Sequence, residues 1–175
     1  GIVGCVECAK AGASFSSICL RDCKHDELVV VDSGSQLGDS ALNGACKGQD
    51  VAYKLQLDDY GTAGKWLADI LSVVQQAQWT NFVFITHELV DEEEINGVKS
   101  DKIFPLMGSK TFCRKVAKYF GTVAYTHMKL GKHAAGSGST YKNDTLTGSR
   151  VTALLEKAKE PSMKDILIEG GVIKR

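Results

Sequence analysis

The chain has 175 residues, 43% of them hydrophobic and 24% charged, which fits one domain (1–175) large enough to bury its own core and excludes a disordered polar chain. Lysine plus arginine and aspartate plus glutamate both number 21, so the formal charge is zero and no global basic field marks a nucleic-acid binder, although a local basic face stays open. No apolar run approaches the roughly 20 residues of a membrane span and no charged-then-apolar leader opens the chain, so no membrane partner and a soluble, cytoplasmic protein are expected.

The chain opens on Gly1 rather than methionine, which implies processing or an upstream piece. Six cysteines stand at positions 5, 8, 19, 23, 46 and 113. Cys5-Val-Glu-Cys8 and Cys19-Leu-Arg-Asp-Cys23 have the paired look of a zinc site, but the second pair is spaced by three residues and the loop between is short. A helix over 5–24 is the preferred reading, since Ala9, Ala11, Phe15, Ile18 and Cys19 recur at near-helical spacing. Zinc is therefore not expected, and the cysteines read as reduced and mostly structural.

Residues 28–31, Leu-Val-Val-Val, are a continuous apolar run that predicts a strand buried on both faces, as in a parallel sheet. The run ends in Asp32 and Ser33, which serve either to cap the next element or to deliver an acid to a crevice at the strand's carboxyl end. Residues 36–46 predict a short helix interrupted by Gly44. Asp58-Asp59 then precede a long amphipathic helix whose stripe is Trp66, Leu67, Ile70, Leu71 and Val74, with the acids where a helix amino terminus favours them. Residues 82–86 form a second apolar strand ending in Thr86-His87-Glu88.

Strand, helix, strand in that order predicts a right-handed crossover in a mainly parallel sheet flanked by helices. Both strands then finish on one edge, and Asp32-Ser33 and Thr86-His87-Glu88 become neighbours in one crevice. Downstream, the acidic run 91–94 reads as a solvated surface excursion turning near Gly97, preferred over a metal-ligand set beside His87. Residues 109–119 predict a helix with Phe112, Val116 and Tyr119 inward and Lys110, Arg114, Lys115 and Lys118 outward. Residues 122–128 predict a third strand, 129–142 a flexible basic loop rich in Gly and Ser, and about 149–159 a last helix. Residues 165–175 close the chain as a short helix and turn or a last strand.

An acid at one strand tip and Thr-His-Glu at the next suit a phosphate and Mg²⁺ site, with the carboxylate holding the metal. The glycine-rich cradle G-x-x-x-x-G-K-[ST] is absent: Gly64-Lys65 lacks the hydroxyl residue and the earlier glycine, and the glycines of 136–142 are out of order.

The strings "ELVVVDSGSQLGDSAL", "DDYGTAGKWLADIL", "NFVFITHE", "KIFPLMGSKTF" and "LTGSR", in this order and spacing over roughly 25–170, resemble the phage nucleotide-binding proteins of the RecA-like P-loop ATPase class, the type acting in single-strand annealing and recombination. The resemblance implies a RecA-like core, here incomplete at the amino end, a homo-oligomer or assembly with other phage proteins, and ATP with Mg²⁺ as ligands. It implies Asp32 as the Walker B acid and metal holder, with Ser33 its companion. His87 becomes the polar sensor, with Thr86 and Glu88 beside it, and Arg150 a basic residue meeting a phosphate within the subunit or across an interface. Without the cradle, the 175 residues are expected not to hydrolyse ATP at a meaningful rate. Single-stranded DNA is the implied partner, met by Lys129, Lys132, His133, Tyr141 and Lys142, although a solvated connection is the preferred reading of that loop. The alternative is a non-catalytic structural or interaction protein built on the same core; as a phage-particle component it would stand in the virion rather than the host cytoplasm.

Overall fold

A computed structural model describes residues 19–24, 26–46, 53–77, 79–95, 97–129, 132–136, 143–145 and 148–149, together with Lys164 and Ile168. Its architecture is mixed α/β. Strand β1 (Leu28–Asp32) lies parallel to β2 (Asn81–Ile85), with Val30 opposite Val83 and Asp32 opposite Ile85. The chain between them forms two helices, α1 (Gly34–Ala45) and α2 (Leu57–Gln76).

The β1 run does not have two buried faces. Val29 and Val31 are half-buried, whereas Val30 is 52% exposed and Ile85, on the same face by register, 48%. The helices explain the asymmetry: Ala41 of α1 and Ala63, Leu67 and Leu71 of α2 close on the side that carries Phe84, so one face of the pair is covered by the core. Leu67, Leu71, Met107, Cys113 and Val116 are the largest fully buried side chains, each aliphatic among them contributing about 1.5–3 kcal/mol by transfer from water.

Helix α1 starts where Ser33 leaves the strand, its hydroxyl accepting the Gln36 N–H at 3.2 Å as an N-cap. It runs without interruption through Gly44, which leaves room for the Trp66 ring. Helix α2 begins under the acids expected there: Asp59 Oδ2 accepts the Gln56 N–H at 2.7 Å and the Tyr53 hydroxyl at 2.8 Å. Its buried line is Ala63, Leu67 and Leu71, four apart, while Trp66 and Ile70, expected in the stripe, are exposed.

Residues 88–105 are not a loose excursion but an antiparallel hairpin, β3 (Glu88–Ile95) against β4 (Val98–Pro105), turning at Gly97 with φ +78°. Asp91 is only 4% exposed. The buried acid is tolerated because cations reach it, Lys110 Nζ at 2.5 Å and Arg114 through Nε at 3.1 Å and a second, shorter bond from its terminal nitrogen. Glu92 and Glu94 face solvent as expected.

The helix expected over 109–119 breaks into α3 (Lys110–Cys113), capped by Ser109, and a 3-10 turn, Val116–Tyr119. At the break the Lys115 N–H bonds the Phe112 carbonyl three residues back at 2.9 Å, which tightens the spiral. The inward set survives: Val116 is buried, and Phe112 and Tyr119 are half-buried and stacked with centroids 6.3 Å apart.

The third strand of a parallel sheet is not where it was expected. Residues 122–128 divide into β5 (Thr122–Val123), antiparallel to β9 (Gly148–Ser149), and β6 (Tyr125–Lys129), antiparallel to β7 (Lys132–Gly136); neither joins β1 and β2. Part of the supposed flexible basic loop is thus strand, since a tight hairpin satisfies its backbone groups locally despite the glycines. Strand β8 (Asn143–Thr145) lies parallel to β4. Of the helix expected at 5–24, residues 5–18 lie outside the described residues and Leu20–Asp22 is a single exposed 3-10 turn. The helix expected over about 149–159 begins on Ser149, which is in β9, and otherwise lies outside the described residues, as does the closing segment apart from Ile168. Among the described residues no helix is long and apolar enough to cross a membrane.

Candidate crevice at the carboxyl ends of β1 and β2

Because β1 and β2 are parallel neighbours, both deliver their carboxyl ends to one edge, as the order of elements predicts. Asp32 is the last residue of β1 and is exposed, and among the described residues no hydrogen bond or ion pair holds its carboxylate. Ser33 is half-buried, and its oxygen accepts from Gln36 while its proton stays available to a second acceptor. Thr86 and His87 follow β2 directly, Thr86 half-buried with its methyl group toward Gly34, His87 exposed.

The His87 backbone is held on both sides. Its N–H donates to Ser35 Oγ at 2.9 Å, and its carbonyl accepts the Leu106 N–H at 2.8 Å. Ser35, 5% exposed in the first turn of α1, donates its own proton to the Leu106 carbonyl at 2.8 Å. One small hydroxyl therefore joins the start of α1, the tip of β2 and the end of β4. Sequence reasoning missed Ser35 because both of its partners are backbone atoms, 52 and 71 residues away. The signal available was a serine one step inside a helix whose cap was already supplied by Ser33.

Glu88 opens β3 and is exposed, but its Oε2 accepts the Tyr125 hydroxyl at 2.7 Å. That bond to a carboxylate pushes the Tyr125 phenol above its ordinary pKa, with burial adding to the shift. Glu88 thus belongs to the hairpin as much as to the crevice. Arg150, Tyr141, Lys142, Cys5 and Cys8 lie outside the described residues. Lys129, Lys132 and His133 are placed by their backbone alone: Lys129 pairs with Lys132, and Met128 with His133, so the β6–β7 hairpin ends in a cationic pair.

The packing behind Ser35 is tight. Gly38 lets α1 press onto the backbone at Gly108, where a methyl group would collide with the Gly108 nitrogen. Gly108 itself has φ +75°, the left-handed region glycine enters freely. Met107 N–H donates to Cys113 Sγ at 3.2 Å, and burial pushes the Cys113 thiol above its ordinary pKa, which leaves it an inert packing group. Cys19, Cys23, Cys46 and Cys113 are free thiols.

The one glycine-lysine segment that resembled a phosphate cradle lies inside α2. Residues 61–65 are helical, Ala63 is 1% exposed, and their N–H groups fall within a continuous helix. A helix interior commits its amides to carbonyls four residues back and has none to offer a phosphate.

Asp32 is a solvent-facing carboxylate without a protein cation among the described residues and with a serine beside it, and no cluster of three or more His, Cys, Asp or Glu side chains among the described residues gathers around it to hold a metal ion. A carboxylate, a hydroxyl, a threonine and an imidazole on one sheet edge suit the recognition of a metal-bound phosphate. Comparison with protein-family models, curated protein sequences and solved structures finds no match to the chain.

Proposed function

We propose that the chain carries the metal-holding and sensing part of a RecA-like nucleotide-hydrolysing module that acts on single-stranded DNA. The observation that supports the reading is the placement of Asp32, a carboxylate unpaired among the described residues at the end of a parallel strand, on the same edge as His87 of the adjoining segment. In this reading Asp32 holds Mg²⁺ through water, Ser33 supplies a hydroxyl to the same shell, and Thr86 and His87 face the terminal phosphate. The chemistry Mg²⁺ supplies is neutralisation of phosphate charge. Arg150 completes the phosphate contacts from the carboxyl-terminal segment, within the subunit or from a neighbouring copy. The cationic end of the β6–β7 hairpin offers the DNA backbone a small, salt-sensitive contact.

The test is calorimetric titration of the chain with a non-hydrolysable ATP analogue, with Mg²⁺ and with EDTA, in wild type and Asp32→Asn. The expected result is weak binding that needs Mg²⁺ and drops about tenfold in the variant, with circular dichroism unchanged. Binding indifferent to both Mg²⁺ and Asp32, or none at all, rejects the reading in favour of a non-catalytic structural or interaction protein on the same scaffold.

A further inference from the structure

The backbone of His87 is fixed more firmly than an exposed strand tip requires. A residue at the end of an edge loop ordinarily leaves its N–H and carbonyl to water, yet here both are bound within the protein, at 2.9 Å to Ser35 Oγ and 2.8 Å from the Leu106 N–H. The third bond, from the Ser35 hydroxyl to the Leu106 carbonyl at 2.8 Å, closes the set. Ser35 uses donor and acceptor functions together, and it sits three residues after Asp32 on the first turn of α1, whose start is fixed by the Ser33 cap.

We infer that Ser35 is the positioning residue of the crevice: its hydroxyl sets the place of His87 relative to Asp32 and ties both to the end of β4. The inference rests on the nucleotide reading for its purpose but not for its geometry. The chemistry is specific. A hydroxyl in this spot must accept from one amide and donate to one carbonyl; alanine does neither and leaves two part-buried backbone groups without their partner, while threonine keeps the same hydroxyl. The imidazole, by contrast, is left exposed, so the device holds the main chain and leaves the ring free to meet a ligand. Because Leu106 directly follows β4, displacement of the β3–β4 hairpin pulls on the same hydroxyl that holds His87, and ligand contact at His87 is felt by the hairpin.

The experiment compares wild type, Ser35→Ala, Ser35→Thr and Leu71→Val, the last a core variant that lowers stability away from the crevice. Amide hydrogen exchange is followed by NMR without ligand, and the His87 ring resonances are followed as Mg²⁺ and a non-hydrolysable ATP analogue are added. In Ser35→Ala, exchange at His87 is expected to rise at least roughly tenfold over neighbouring amides of β2, and the apparent affinity for the analogue to fall by a similar factor. Ser35→Thr restores both, and Leu71→Val raises exchange across the core without singling out His87. Unchanged His87 protection in Ser35→Ala overturns the positioning role whatever the nucleotide does. If wild type ignores the analogue, the nucleotide reading fails by itself, and selective loss of His87 protection in Ser35→Ala still supports the positioning role.

Discussion

Lys110 sets its ammonium 2.5 Å from the carboxylate of Asp91, a residue 4% exposed in the middle of an acidic strand. Arg114 joins from the same short helical segment and also approaches Glu93 at 3.3 Å, while Lys102, across the hairpin, pairs with Glu93 at 2.8 Å. These charges pin the β3–β4 hairpin to α3, and both elements flank the segment 106–109, whose Leu106 bonds Ser35 and the His87 carbonyl.

The cluster makes stability depend on pH. The Lys110 bond first, then that of Arg114, holds the Asp91 carboxyl below the usual carboxylate range, against the opposing effect of burial; Lys102 does the same for Glu93. A carboxylate whose folded pKa is depressed contributes stability that is fully present above its unfolded value, about 3.9 for Asp, and is lost as pH falls through the folded value. Thermal melts of wild type and Asp91→Asn should therefore differ by a constant margin of several degrees above about pH 5, with Asp91→Asn the less stable. The gap should close as pH falls below about 4. A gap that stays open at acid pH would show that packing rather than charge holds Asp91.

Glycines on the two helices should respond in opposite directions to the same change. Gly38→Ala drives a methyl group onto the Gly108 backbone and is expected to cost about 1–3 kcal/mol in urea denaturation. Gly61→Ala, in α2 with nothing within 4 Å of the added carbon, should stabilise by about 0.5–1 kcal/mol. Equal effects at the two sites would contradict the close approach of α1 to Gly108.

The core makes a third claim. Leu67 and Leu71 are both 0% exposed and one turn apart on α2, and each truncation to alanine should cost about 2–5 kcal/mol, the spread reflecting how far the cavity collapses. Trp66→Ala and Ile70→Ala, on the exposed side, should cost distinctly less than these. Chemical denaturation of the four variants checks the order, and Trp66→Ala outranking Leu67→Ala would place the buried face wrongly.

Local pattern controls the elements that are legible in the chain itself. Residues 28–31 and 82–85 are short apolar runs bounded by polar residues, and Asp58-Asp59 with the Leu67 and Leu71 spacing define α2 without outside help. The crevice edge is legible with them, because a parallel pair must bring Asp32 and His87 to one side. The hairpin at 88–105 is hidden because its alternation is carried by charge: Leu89, Asp91 and Glu93 turn inward, and that burial is tolerable only with cations such as Arg114, 23 residues beyond Asp91. The β5–β9 and β6–β7 pairings are hidden for a different reason, since Thr122 finds Ser149 at long range and the Gly- and Ser-rich composition around 131–140 conceals the strand beside it. Which face of β1 is covered depends on helices that one strand's composition does not report.

The final prediction concerns turnover. The 175 residues alone should hydrolyse ATP no faster than the Asp32→Ala variant, with or without single-stranded DNA. Phosphoryl transfer asks the protein to position the phosphates and neutralise their charge, and the main devices are a glycine-loop cradle of N–H groups, its lysine and the hydroxyl that shares the metal. Within this chain the one segment with a glycine-lysine pair that resembled the cradle, 61–65, is helical and has spent its amides on α2. Each missing donor of this kind costs on the order of a hundredfold in rate, and several are missing together. In the proposed reading Asp32 holds hydrated Mg²⁺, yet the β- and γ-phosphates would stay in water. A neighbouring subunit can lend an arginine, but a cradle of main-chain amides belongs to its own strand and helix and is poorly suited to donation. The measurement is phosphate release from purified 1–175 in Mg²⁺, alongside Asp32→Ala and Lys65→Ala. Robust turnover lost in both variants would mean that α2 unwinds at Gly61 and Gly64 to form the cradle; turnover lost in Asp32→Ala alone would put the missing donors elsewhere in the chain.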